Sequence, residues 1–209
     1  MSYIKDSDHY KDMAAEKEER DAIVAGDFYS SGIPWRFFEG KIQFCLVPYH
    51  NEYESGRLEH RFPGGCCKRL KGERWDYTPE DALGSEMQEE TFLILVSFNR
   101  IYRRFVDSKN SPVARPGRKH PKFFYLIDEF SGVTPESFPG NGRNPLDINL
   151  EAPIWVSPKE VLEKLYWGHR WAYYEALKIL VTREDRRFHS LLYDVCTLEE
   201  EFKAQRRTA

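Results

Sequence analysis

The sequence predicts a mixed α/β fold in which helices pack on a mixed sheet. Three observations predict it. Runs rich in apolar, β-branched and aromatic residues over 41–48, 92–106 and 122–130 read as strands. Two segments carry full helix-start signals, Thr78-Pro79-Glu80-Asp81 and Ser157-Pro158-Lys159-Glu160. Along the chain the order is strands, a helix, more strands, then helices at the C-terminus.

Residues 1–26 are polar and charged, and Lys11–Ala25 has helical propensity with few apolar members, as in a peripheral helix or arm. After the Glu39-Gly40 turn comes the first strong strand, Lys41–Pro48, and then a short alternating strand, Leu58–Phe62. Pro63-Gly64-Gly65 breaks it, and a loop of mixed charge runs from Cys66 to Tyr77. Thr78 caps a helix from about Pro79 to Glu90. Strand 92–106 and strand 122–130 flank a basic loop, 107–121. A long Gly-, Pro- and Asn-rich loop covers 131–149, and loops of this length are often functional. Ile154–Val156 is a short strand, followed by the helix capped by Ser157. Helices over His169–Val181 and Arg183–Arg206 complete the chain, the first with Trp171, Tyr174, Leu177 and Leu180 or Val181 at helical spacing. The organisation predicted is an N-terminal extension, 1–30, and one domain, 31–209.

The bulk numbers bound the function. A chain of 209 residues with 41% hydrophobic and 31% charged residues makes one globular domain with a proper core. A net charge of -3 gives no global attraction for nucleic acid or an anionic membrane, so nucleic acid is a minor expectation confined to a local basic patch. The start, Met1-Ser2-Tyr3-Ile4-Lys5-Asp6, lacks the apolar stretch of a signal peptide. No apolar run reaches the roughly 18 residues of a membrane span. Cys45, Cys66, Cys67 and Cys196 have no zinc-ligand spacing and read as reduced thiols, which predicts a cytoplasmic protein.

The chemistry is concentrated on the helix after the glycine turn. Residues three and four apart share a helix face, so Glu86, Glu89 and Glu90 point one way. Such a face is either solvated or holds a cation, and its hard oxygens select Mg²⁺, Mn²⁺ or Ca²⁺. Glycines beside a strand end let backbone approach a ligand closely. Against these stand weaker features: His169-Arg170 as a phosphate contact or an exposed helix start, Arg115, Arg118, Lys119, His120 and Lys122 as a basic contact or a solvated loop, and Trp35, Phe37 and Phe38 as a base-stacking site or core. Trp155, Trp167 and Trp171 read as core. The sequence has no G-x-S-x-G elbow, Walker loop or G-x-G-x-x-G.

Phe62-Pro63-Gly64-Gly65, Glu73 and Ser85-Glu86-Met87-Gln88-Glu89-Glu90-Thr91-Phe92-Leu93 together resemble the Nudix hydrolase signature, G-x5-E-x7-R-E-U-x-E-E-x-G-U, with U a bulky apolar residue. Glu151–Ser157, then a helix and His169-Arg170, extend the resemblance over residues 40 to 180. Gly65 to Glu73 is two residues longer than the signature, and Glu73 to Ser85 four longer. Ser85 stands where the family has the arginine that braces the loop, and Arg69 or Arg74 could replace it. Phe92 stands at the signature glycine, which predicts a different helix-to-strand geometry because phenylalanine avoids positive φ.

The resemblance implies a Nudix α/β/α sandwich with a mixed sheet, an N-terminal extension and an extra C-terminal helix. It implies metal-dependent hydrolysis of a nucleoside diphosphate linked to another moiety. Glu86, Glu89, Glu90 and Glu73 would hold Mg²⁺ or Mn²⁺, and Arg61, Gly64 and Gly65 would meet the nucleotide-type substrate. Glu89, Glu90 or Glu129 would act as general base, and a homodimer would match many relatives. The rival expectations are a weak or inactive nucleotide-binding regulatory module, a hydrolase that processes RNA ends, and an interaction protein indifferent to metal and nucleotide.

Overall fold

The computed structural model describes residues 15–51, 57–67, 69–70, 73–74, 78–107, 119–138 and 142–208. Helix α1 covers residues 15–25. It is followed by β1 (Tyr29–Phe38), β2 (Lys41–Asn51), β3 (Arg57–Arg61), β4 (Gly64–Cys66), β5 (Arg69–Leu70) and β6 (Glu73–Arg74). Then come α2 (Pro79–Thr91), β7 (Ile94–Asp107), β8 (Lys119–Ser131), β9 (Ile154–Val156), α3 (Pro158–Lys164), α4 (Arg170–Val181) and α5 (Leu192–Thr208). Short 3₁₀ turns at Trp167–His169 and Arg186–Leu191 precede the last two helices.

Seven strands form a mixed sheet in the order β3-β2-β1-β8-β7, with β4 added on β1 and β9 on β2. Among the described strands, only β1 and β8 pair in parallel, in register from Tyr29 opposite Lys122 to Pro34 opposite Ile127. Both faces of β8 are covered, so its apolar run is continuous rather than alternating. Phe123, Tyr125 and Ile127 pack under Ala82, Leu83 and Met87 of α2. Phe124 and Leu126 face the opposite core, where α4 contributes Ala172, Tyr173, Ala176, Leu177 and Leu180. Helices therefore lie on both faces of the sheet, as the predicted α/β/α sandwich requires.

The predicted helix starts are present, each with its reciprocal capping box. Thr78 Oγ1 accepts from Asp81 N at 3.1 Å while Asp81 Oδ2 accepts from Thr78 N at 3.0 Å, and Ser157 and Glu160 do the same for α3. Four expectations need correction. The first strand is not Lys41–Pro48: residues 29–38 form a central strand ahead of it. Gly32 is required there because a Cβ would lie 2.9 Å from Met87 Sδ, so α2 can pack closely on the strand. Pro34 sits where β1 stops pairing with β8 and starts pairing with β2, so its missing N–H costs little. The expected last helix is divided: Asp185 caps the 3₁₀ turn through Arg187 N, and α5 begins only at Leu192. Trp167 is 63% exposed and so is not core, whereas Trp171 packs against the core, its ring stacked on Phe202 of α5 with centroids 3.6 Å apart. Phe92 adopts φ 61°, the left-handed conformation of the glycine it replaces. Its N–H closes on Gln88 O at 3.0 Å and its ring meets Phe138 edge-on at 5.9 Å. Tertiary packing thus holds a phenylalanine where local preference favours glycine.

The boundary expected at residue 30 falls inside β1. Helix α1 of the extension is fastened to β7 by Glu19, which accepts from Arg100 Nη1 at 2.7 Å and from Arg103. All four cysteines are free thiols. Among the described residues, no helix is long and apolar enough to cross a membrane.

Candidate functional site

The site is built where the turn after β3 meets the C-terminal half of α2. The turn is held from two sides. Ser31 Oγ and Gly32 N of β1 both donate to Pro63 O at 2.9 Å. On the other side Phe62 N donates to His169 Nδ1 at 3.2 Å. That bond requires the proton on Nε2 and a neutral ring. Burial lowers the pKa of His169 well below its ordinary value, with Lys122 and Arg61 adding to the effect. His169 is 3% exposed, stacked on Phe62 and edge-on to Phe124, so it acts as a strut and presents no cation to a ligand. Arg170 is engaged by Glu201 at 2.5 Å and Leu162 O at 2.7 Å.

Gly64 and Gly65 let α2 come down onto this turn. Gly64 has φ 154°, and a Cβ there would lie 2.5 Å from Ser31 Cα and closer still to Ser30 O. A Cβ on Gly65 would lie 2.5 Å from Glu86 Cδ, so the Glu86 carboxylate fills the space a side chain would take. Glu90, one turn on, is 3% exposed. Its Oε2 accepts from Gly64 N at 2.8 Å, and its Oε1 accepts from Arg61 Nη2 at 3.0 Å. The guanidinium of Arg61 lies over the Tyr49 ring, 4.1 Å from its centroid. Burial raises the Glu90 pKa and outweighs the opposing pull of Arg61 and of the Gly64 N–H. For Arg61, burial alone would lower the pKa, but the charge of Glu90 reverses the direction.

Glu86, Glu90, Arg61, Gly64 and Gly65 are thus brought together, while Glu89 is half-buried at the edge of the same face. Glu129 is exposed on β8 opposite Ser97, and no described contact joins it to the α2 carboxylates. Glu73 pairs with Leu70 through its backbone, but its side chain lies outside the described residues, as do those of Arg69 and Arg74. Arg115 and Arg118 also lie outside them. Trp35 and Phe37 pack against Phe188, and Phe38 is 48% exposed. Three members of the site came without a sequence signal. Tyr49 supports Arg61. Asn144, 2% exposed, donates from Nδ2 to Glu89 O at 2.8 Å and ties the long loop to the end of α2. The charge of Asp147, on the same loop, acts on both Arg61 and Glu90.

Among the described residues, no group of three His, Cys, Asp or Glu side chains is arranged to hold a metal ion. Mg²⁺ does not demand one, since it is commonly held by one or two carboxylates together with substrate phosphates. Glu86, cradled on Gly65, and Glu90, already facing a cationic group, supply two hard-oxygen donors that fit such an ion.

No family model and no curated protein matches the sequence. Solved structures do. The NUDIX domain of Shewanella oneidensis NrtR, complexed with ADP ribose, matches at 13% identity and TM-score 0.51, over 73% of this chain and 87% of that one. The Escherichia coli ORF135 protein matches at 16% identity and TM-score 0.51, over 76% and 93%. Shewanella oneidensis NrtR complexed with a 27mer DNA matches at 14% identity and TM-score 0.50, over 74% of this chain and 62% of that one. At these identities the likeness is one of architecture, and by its architecture this chain has the fold of the Nudix hydrolases.

Proposed function

We propose that the chain is a Nudix-type hydrolase that cleaves a nucleoside diphosphate linked to another moiety, with Mg²⁺ or Mn²⁺ held by Glu86 and Glu90. The observation that carries this reading is the seating of both carboxylates on the Gly64-Gly65 turn. A divalent cation, when bound, supplies charge neutralisation at the diphosphate. The chain's own residues do the rest. The Gly64 N–H fixes the orientation of Glu90, and Asn144 fixes the end of the helix that carries Glu89. Arg61 adds donors for phosphate oxygens at the same place. In this reading Glu89, half-buried on the same helix, takes a proton from water.

The test is product release from nucleoside triphosphates, dinucleoside polyphosphates and nucleotide sugars with Mg²⁺ or Mn²⁺. Turnover that needs the metal and falls about a hundredfold or more in Glu86→Gln supports the reading, since such a loss corresponds to several kcal/mol of transition-state stabilisation. A second reading, nucleotide binding without turnover, is favoured by Ser85 in place of the bracing arginine and by Arg61 lying on Glu90. Metal-dependent binding with no turnover on any substrate would select it.

A further inference from the structure

We propose that Arg61 is a resident counter-cation that gates the metal site, so that a divalent ion reaches Glu90 only as the Arg61 guanidinium leaves it. This rests on the reading of Glu86 and Glu90 as metal donors. The Glu90 side chain is 4% exposed, and an anion buried this deeply needs a cationic partner. Arg61 is that partner, but it holds Glu90 by one arm only, Nη2 to Oε1 at 3.0 Å. The two-pronged grip that arginine usually makes on a carboxylate is absent. Its Nε is buried with no hydrogen-bond partner among the described residues.

The direct contacts that keep the guanidinium in place among the described residues are the single charged bond and the face of Tyr49 beneath it, with the charge of Asp147 acting from the long loop. A cation approaching Glu90 meets a positive charge at hydrogen-bond range from the same oxygen. The Arg61 side chain is 20% exposed, which leaves a direction in which it can withdraw. Once withdrawn, it keeps its full set of donors for the phosphate oxygens of an arriving diphosphate. The resting site therefore disfavours a bare metal ion.

The experiment is calorimetric titration of the full chain with Mn²⁺ alone, without nucleotide, for wild type, Arg61→Gln, Tyr49→Leu and the pair Arg61→Gln with Glu90→Gln. Removing a unit charge from beside the ion tightens Mn²⁺ binding in Arg61→Gln on the order of tenfold or more. Tyr49→Leu, which keeps the charge on Arg61 and the counter-charge of Glu90, tightens it less. Adding Glu90→Gln abolishes the gain, which locates it at that carboxylate. If Mn²⁺ binds but no more tightly to Arg61→Gln and Tyr49→Leu than to wild type, the gate is refuted and the metal site stands. If none of the proteins binds Mn²⁺, both the gate and the metal site are refuted. Should Arg61→Gln fail to fold, Tyr49→Leu decides between these outcomes.

Discussion

Alanine at Gly64 and alanine at Gly65 should have opposite consequences, although the two residues are neighbours. At Gly64 the new Cβ meets backbone, 2.5 Å from Ser31 Cα and closer still to Ser30 O, and φ is 154°. Backbone cannot step aside cheaply. Overpacking costs about 1–3 kcal/mol and the φ/ψ penalty about 1–3 kcal/mol, so roughly 4 kcal/mol is expected in sum. At Gly65 the new Cβ meets only the carboxylate end of Glu86, at 2.5 Å from Cδ, which can swing away. A cost of about 1 kcal/mol is expected there. For a chain of this size each kcal/mol lowers Tm by about 2–4 °C. Gly64→Ala should therefore lose roughly 8–16 °C and Gly65→Ala only about 2–4 °C. The functional outcome is reversed in proportion. Gly65→Ala should stay folded yet lose Mn²⁺ affinity, because the displaced group is the proposed donor Glu86. Thermal unfolding followed by circular dichroism, with Mn²⁺ titration of whatever remains folded, reads both effects. Equal Tm losses in the two variants, or unchanged Mn²⁺ binding in Gly65→Ala, would refute the idea that these glycines do separate jobs.

Phe92→Gly should be more stable than Phe92→Ala by about 1 kcal/mol in urea unfolding, because both lose the ring contact with Phe138 but only glycine relieves the left-handed backbone. Burial, aided by Lys122, lowers the pKa of His120 from 6.5 to about 4, and His169 shifts in the same direction. The unfolded chain then binds more protons than the folded one below about 6.5, so stability is full above that pH and falls as the solution is acidified toward 4. His120→Gln should flatten that slope by up to roughly 3 kcal/mol, measured by urea unfolding at a series of pH values. Glu19→Ala should loosen α1 from β7 at a cost of about 1 kcal/mol, since both arginines keep access to water. Proteolysis within residues 15–25 should quicken while the rest of the chain stays resistant.

What could be read from the sequence was whatever is decided locally. Capping is a matter of four residues, and Thr78 with Asp81 and Ser157 with Glu160 announced two helix starts correctly. The carboxylate face of α2 and the glycine turn are equally local, so the meeting of Glu86 and Glu90 with Gly64 and Gly65 could be anticipated. β1 was hidden because its character comes from its surroundings. Ser30 and Ser31 are fully buried, Gly32 is small for the sake of Met87, and Pro34 lies at a change of partners. Phe92 misled for the same reason, as a contact with Phe138 outweighed its backbone preference. Asn144 and Asp147 sit in a loop without periodicity, and only the fold carries them to the end of α2. Arg61 was expected beside the glycine turn, but its bond to Glu90 was not legible, because 29 residues separate the pair.

The strut from His169 to Phe62 spans 107 positions of sequence. On a ribosome adding about 5–20 residues each second, the glycine turn and the acidic helix emerge roughly 5–20 s before the imidazole that braces them is synthesised. Through that interval the nascent chain carries a growing but unsupported site, with strands whose covering helices do not yet exist. The braced glycine turn is thus a late product of biogenesis, completed only when the last third of the chain arrives, and defects in that last third should surface as loss of this turn's support rather than of the early strands.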